Sequence, residues 1–203
     1  MKMGRPREFC VDKALDAALE VFWRKGFEGA SLTDLTEAMG INRPSLYGAF
    51  GNKEDLFRKA LDRYVSEKVK YLGEALAASD AYGLADRMLM GAAAMMTDPS
   101  HPVGCLAIKG MAACSDHTGV VREELDKVKN NFETAMIARL AELQAAGQLP
   151  ADANLECLMR YLTTVVQGMA IQASNGATCA ELRQVGETAL KAWPAKKGVT
   201  ASV

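Results

Sequence analysis

Residues 31–57, SLTDLTEAMGINRPSLYGAFGNKEDLF, decide the reading of this chain. Ser31 is a helix N-cap, and Asp34 three residues on makes a variant of the capping box. Leu32, Leu35 and Met39 follow as an apolar stripe at helical spacing, and Gly40 stops the helix. Asn42 caps the next helix, where Pro44 is tolerated because the first turn needs no intrahelical N–H. Leu46, Ala49 and Phe50 face inward, and Gly51 closes it. Asn52 then caps another helix, with Glu54 and Asp55 near its positive end. Two short helices joined by a tight glycine turn are the sequence form of a helix-turn-helix, which lays its second helix in the DNA major groove.

Upstream, Val11, Leu15, Leu19 and Phe22 repeat at helical spacing, and Gly26 is the expected stop of a first helix over residues 11–25. Downstream, the helix opened by Asn52 is predicted to run on as one long rod. Its stripe is Phe57, Ala60, Leu61, Tyr64, Leu72 and Leu76. Four further stretches are predicted as helices. They are a Met-rich segment from Tyr82 to Met96, one ending near Ser115, a long one through Val121, Leu125, Val128, Phe132, Met136 and Leu143, and an apolar one over 155–169. A last helix runs from Glu181 to Trp193. Strand signals are nearly absent. The expected class is all-α: an N-terminal helix-turn-helix domain (1–55) continuing through the fourth helix into a larger helical ligand-binding and dimerisation domain (56–203).

Composition bounds the function without naming it. The chain has 203 residues, 49% of them apolar, and a net charge of -1. Over residues 1–63 eleven Lys and Arg face ten Asp and Glu, so charge alone does not announce a nucleic-acid binder. Placement matters more. Lys2, Arg5 and Arg7 crowd the N-terminus, Arg43 and Lys53 flank the recognition helix, and Asp12, Asp16 and Glu20 sit on a different helix. No apolar run reaches the ~20 residues of a membrane span, and no signal peptide opens the chain. Cys10, Cys105, Cys114, Cys157 and Cys179 are odd in number and lack a C-x-x-C, as reduced cytoplasmic thiols do.

Together Phe22, Gly26-Phe27, Ser31-Leu32-Thr33, Leu35, Ala38-Met39-Gly40, Leu46-Tyr47, Phe50 and Lys53-Glu54-Asp55-Leu56 resemble the TetR/AcrR-type bacterial transcriptional regulators. The match covers about residues 8–60. The resemblance implies a homodimer that represses its target on double-stranded operator DNA and is released by a small-molecule inducer. Family members often carry a large polar or aromatic pair where this chain has Gly48 and Ala49, so contacts from such side chains are missing or replaced.

Candidate DNA-binding residues are Ser31, Thr33, Asn42, Arg43, Pro44, Ser45, Tyr47 and Lys53. Arg43 reads guanine with two hydrogen bonds or holds a phosphate. Ser45 offers a hydroxyl, and Tyr47 a phenol to a phosphate. Ser31 and Thr33 open a helix N-terminus with free N–H groups. Lys53 is a phosphate clamp by resemblance, and Arg5 and Arg7 are a disordered tail or a minor-groove arm.

In the body, Met88, Met95, Met111, Phe132 and Met136 are candidate walls of an apolar ligand pocket, with core filling as the alternative. Cys105, after Gly104 at a helix start and four residues before Lys109, is a candidate sensor thiol; a small buried cysteine is the alternative. Leu158, Leu162, Val165 and Met169 are candidate dimer-seam residues. His101 and His117 lie beside helix breakers, where surface loops are expected. With Cys105 and Cys114 they match no standard zinc pattern, so no metal or cofactor is assigned. No catalytic set is found. The expected function is a ligand-responsive dimeric repressor released by a small molecule or by thiol modification. The alternatives are an activator of the same fold, a protein-binding adaptor and a metal-dependent enzyme.

Overall fold

A computed structural model describes residues 9–113 and 119–195, and these form ten helices. The head comprises α1 (Val11–Gly29), α2 (Leu32–Met39) and α3 (Arg43–Phe50), closed by the first turns of α4 (Lys53–Glu67). The caps read from sequence are formed. Ser31 and Asp34 make a reciprocal capping box on α2, Asn42 accepts from the Ser45 N–H, and Asn52 forms a second box with Asp55. Gly40 takes φ 64°, a left-handed conformation that lets the chain turn between α2 and α3 without a Cβ penalty.

Phe22, Leu35, Leu46, Phe50 and Phe57 are at most 1% exposed and form the centre of the head. Phe22 and Phe27 each meet Phe57 edge-on, at 5.2 and 5.4 Å between ring centroids. Truncating the buried Phe22 or Phe57 to Ala would cost about 3–5 kcal/mol. The acids of α1 are matched by arginines. Arg63 of α4 pairs with Asp12 at 2.9 Å and Asp16 at 2.7 Å, and Arg24 with Glu20 at 3.4 Å.

Two helix boundaries differ from the sequence reading. Helix α1 does not end at residue 25. Gly26, at φ 70°, interrupts it, and the chain regains helical geometry through Gly29. The long rod from Asn52 is broken: α4 ends at Glu67, Val69 leaves helical geometry at ψ 30°, and a separate α5 (Lys70–Leu76) follows. Continuing the phase of Phe57, Ala60, Leu61 and Tyr64 would turn Glu67 and Lys68 into the core. The break re-phases the chain so that Val69, Tyr71 and Ala75 are buried instead.

The body is built around α6 (Ala81–Met96), which packs against α5, α9 (Leu155–Ser174) and α10 (Cys179–Ala192). Helices α7 (Leu106–Ala113) and α8 (Gly119–Ala145) cover its other side; α7 also packs on α1, and α8 on α4 and α5. Head and body therefore share α4 and meet directly where α1 lies on α7. No helix of the described residues is long and apolar enough to cross a membrane.

Candidate DNA interface and ligand cavity

The α2–α3 unit presents a polar surface built from its own caps. Arg43, the first residue of α3, is exposed, and its Nη2 donates to the Thr33 hydroxyl at 3.1 Å. This bond ties the N-terminal ends of the two helices and holds the guanidinium at the start of α3, with its remaining donors uncommitted among the described residues. Ser31 and Asn42 are occupied by capping: Ser31 exchanges hydrogen bonds with Asp34, and Asn42 Oδ1 accepts from Ser45 N at 2.9 Å. Pro44 sits in the first turn of α3, exposed. Ser45 is half-buried, and the Tyr47 ring is 50% exposed with no hydrogen bond among the described residues. Lys53 opens α4 with its ammonium 4.4 Å over the Phe27 ring, and partial burial pushes its pKa down.

Lys25 was not singled out from sequence. Its Nζ donates to Asp34 at 2.6 Å; that bond, with those from Ser31, holds the Asp34 carboxyl at about 2. The signal was the positive charge in the last turns of α1 facing the acidic third position of α2. Gly48 lies exposed on α3, and a Cβ there would meet nothing within 4 Å. A larger side chain would therefore have room at Gly48, whereas Ala49 packs against the core. Lys2, Arg5 and Arg7 lie outside the described residues.

In the body a cavity of about 120 Å³ opens between α4, α5, α7, α8 and α9. Met88, Cys105, Met111 and Phe132 line it, as expected for a pocket wall. Met95 and Met136 do not. They are 8% and 0% exposed and pack into the core, as gap-filling methionines do. Sequence reasoning missed Tyr71 and the role of Tyr64, both of which line the cavity. An aromatic ring at core spacing gives no sign that its hydroxyl lies beside a void.

Cys105 is 6% exposed, and Tyr64 donates its hydroxyl to the sulfur at 3.0 Å. Burial pushes the thiol pKa up. Opposing it are the Tyr64 bond, the N–H groups of Ile108 and Ala107, and the Lys109 charge, and burial prevails. Burial thus outweighs the helix start and the Lys109 charge at this thiol. Lys109 donates to the Val103 carbonyl at 2.8 Å and so anchors the loop. His101 is likewise no free surface residue: its ring stacks on Trp23 of α1 at 4.5 Å. His117 and Cys114 lie outside the described residues, which contain no group of three or more potential metal ligands.

The seam residues divide. Leu162 and Met169 are 0% and 1% exposed within a single chain, turned onto the body's own core, and so are unavailable to a partner. Leu158 and Val165 are half-buried. The exposed apolar positions nearby are Ile171 on α9 and Val185 on α10, at 58% and 46%. Ile171 lies on the opposite side of α9 from Leu162, and Val185 belongs to α10, where no seam residue was named from sequence.

Residues 14–60 match the model for bacterial regulatory proteins of the tetR family, and residues 83–185 match a tetracyclin repressor-like C-terminal domain. The chain belongs to the TetR family. It is 35% identical over 194 residues to the HTH-type transcriptional repressor ComR of Escherichia coli K12, with 94% of this chain and 92% of that protein aligned. To the repressor BdcR of the same organism it is 30% identical over 189 residues, covering 91% of each. A cysteine variant of the TetR family regulator CifR, solved with a 26bp double-stranded operator, superposes with a TM-score of 0.88 at 38% identity over 94% of this chain and all of that one. These relatives are transcriptional regulators, not enzymes, and the TetR family member described here shares their two-part helical plan.

Proposed function

We propose that this TetR family chain is a homodimeric transcriptional repressor. Each subunit sets α3 in the major groove of one half of a palindromic operator, and a small molecule in the body cavity, or modification of Cys105, releases it. The observation that carries the reading is the α2–α3 unit. Its caps are satisfied internally, and Arg43 and Tyr47, one turn apart on α3, are left exposed. The similarity to an operator-bound regulator over nearly the whole chain supports the same use of that face.

Two copies are required because one eight-residue helix reads too few bases for useful specificity, and a two-fold axis spaces the half-sites by ~34–36 Å or more. Val165 of α9 and Val185 of α10 line one groove and give the two helices an apolar face suited to that axis.

Release would run through α4. Its Tyr64 lines the cavity, its Arg58 pairs with Glu124 of α8 at 3.2 Å, and its first turn supports the recognition helix. A ligand that favours one setting of α4 by about 3 kcal/mol shifts operator affinity by ~100-fold. The test is binding of the purified full chain to the promoter region beside its own gene, over a range of salt. Tight, salt-sensitive binding of two chains per site supports the proposal. Indifference to DNA at low salt overturns it, and turnover abolished by a chelator would favour an enzyme.

A further inference from the structure

The cavity also carries information about what it takes. Tyr71 reaches it from α5 because α6 has Gly91 at the crossing. A Cβ at Gly91 would come 2.5 Å from Tyr71 Cβ, so only glycine lets the ring root pack there. The ring is 9% exposed, yet its hydroxyl makes no hydrogen bond with any described residue. The hydroxyl is not sealed in: it is not among the fully buried polar atoms that lack a partner within the described residues. Tyr71 lines the cavity, where a ligand can supply the missing acceptor.

The rest of the lining limits the ligand further. Met88, Met111, Val128, Phe132 and Val166 supply apolar wall. The inner polar groups, Tyr64, Tyr71 and Cys105, all have their ionisation pushed up by burial and stay neutral at pH 7. The Tyr64 proton is already given to Cys105 Sγ. The charged side chains on the lining, Lys129 and Glu133, face each other at 3.6 Å and offset one another. A buried charge with no partner costs several kcal/mol, so an ionised ligand is disfavoured. Size sets the last bound. At about 120 Å³ the space is a little smaller than the ~150 Å³ apolar cavity that accommodates benzene, and below the ~300–1,000 Å³ of most ligand sites. Long acyl chains do not fit.

We propose that this cavity takes a compact, uncharged, mostly apolar molecule of about six or seven heavy atoms bearing one oxygen acceptor, held by a hydrogen bond from the Tyr71 hydroxyl. The proposal rests on the cavity being the inducer site, and it names the ligand class for that site.

Calorimetric titration of the full-length protein with cyclohexanone, methylcyclohexane and cyclobutanecarboxylate, all of about seven heavy atoms, tests it on the wild type and on Tyr71→Phe. Cyclohexanone should bind the wild type and lose about three- to tenfold in affinity in Tyr71→Phe. Methylcyclohexane should bind both equally, and the carboxylate neither. The preference for ketone over hydrocarbon within the wild type gives the same answer without a variant. Tightest binding by the carboxylate, an equal ketone preference in both proteins, or no binding by any probe overturns the proposal. Release of operator DNA by cyclohexanone is read separately: binding without release would keep the ligand class and sink the inducer role.

Discussion

Trp23 of the head meets Tyr64 of α4 edge-on, with ring centroids 4.9 Å apart and planes at 86°. Such a pair contributes about 0.5–1.5 kcal/mol beyond its buried area. The same Tyr64 donates to Cys105 Sγ, and the other side of the contact is closed by His101 stacked on Trp23. An unbroken line of contacts thus runs from the first helix of the head to the wall of the cavity. It combines packing and one hydrogen bond, and its two loop residues, His101 and Cys105, are each held by a ring of α1 or α4.

Replacing Tyr64 with Phe keeps the ring contact with Trp23 and removes the hydroxyl that donates to sulfur and meets the Leu106 N–H. Stability should fall by about 0.5–1.5 kcal/mol, read from the denaturant midpoint. Operator affinity without ligand should not change. Collapse of DNA binding in a folded Tyr64→Phe protein would mean that the hydroxyl sets the head's position by itself.

Arg43→Ala should cost about 1–3 kcal/mol of operator affinity and flatten the preference at one base pair of each half-site. The Thr33 hydroxyl that now accepts from Arg43 is exposed and finds water, so head stability should be little affected. A competition series over all single-base operator variants is the measurement. An equal loss on every sequence would reassign Arg43 to a phosphate.

Lys53 should behave in the opposite way. It stands over Phe27 at the start of α4, a fixed positive charge with no base-reading geometry of its own. Lys53→Gln should weaken all sequences alike and reduce the slope of log affinity against log salt by about 1. An unchanged slope would remove Lys53 from the phosphate contacts.

Asp34 gives a pH signature. Its folded pKa of about 2 lies below the ordinary 3.8, chiefly through Lys25 and then Ser31. The group therefore stabilises the head fully above pH ~4, and that contribution is lost as pH falls toward 2. Comparing denaturation of the wild type and Asp34→Asn across this window should show their difference shrinking as pH drops. A difference that stays constant from pH 5 to pH 2 would contradict the assignment.

Much of this was legible in the residues. Ser31, Asn42 and Asn52 announced three helix starts, because a capping side chain is a local signal that needs no tertiary information. The place of Arg43 at the start of α3 follows from the Asn42 cap. The break at Val69 was readable in principle, from the charges of Glu67 and Lys68 at core phase, but the apolar Leu72 and Leu76 beyond them suggested continuity. The cavity was half legible. Met88, Met111 and Phe132 line it, whereas Met95 and Met136 carry the same chemistry and fill core. Only packing between helices distant in sequence separates the two groups. Tyr71 depends on Gly91, twenty residues away on another helix, and the buried state of Cys105 depends on Tyr64. Neither pairing leaves a trace in local spacing.

The thiols should react in the order of their exposure. Cys10 and Cys157 are exposed, and Cys105 is buried with its pKa raised. Brief treatment with N-ethylmaleimide followed by peptide mass spectrometry should find Cys10 and Cys157 modified first. Preferential modification of Cys105 would show that the cavity opens far enough in solution to expose the sulfur, and would favour release by thiol chemistry over reversible binding.

The central claim is that two copies of this chain together read a symmetric DNA site through Arg43-bearing helices. Selection of bound duplexes from random DNA, with sedimentation of the selected complex, tests it most directly. The account predicts an inverted repeat whose half-site centres lie about one helical turn or more apart, occupied by an even number of chains, with the preference at one base pair of each half-site lost in Arg43→Ala. Enrichment of no sequence, or of an asymmetric site bound by a single chain, would contradict it.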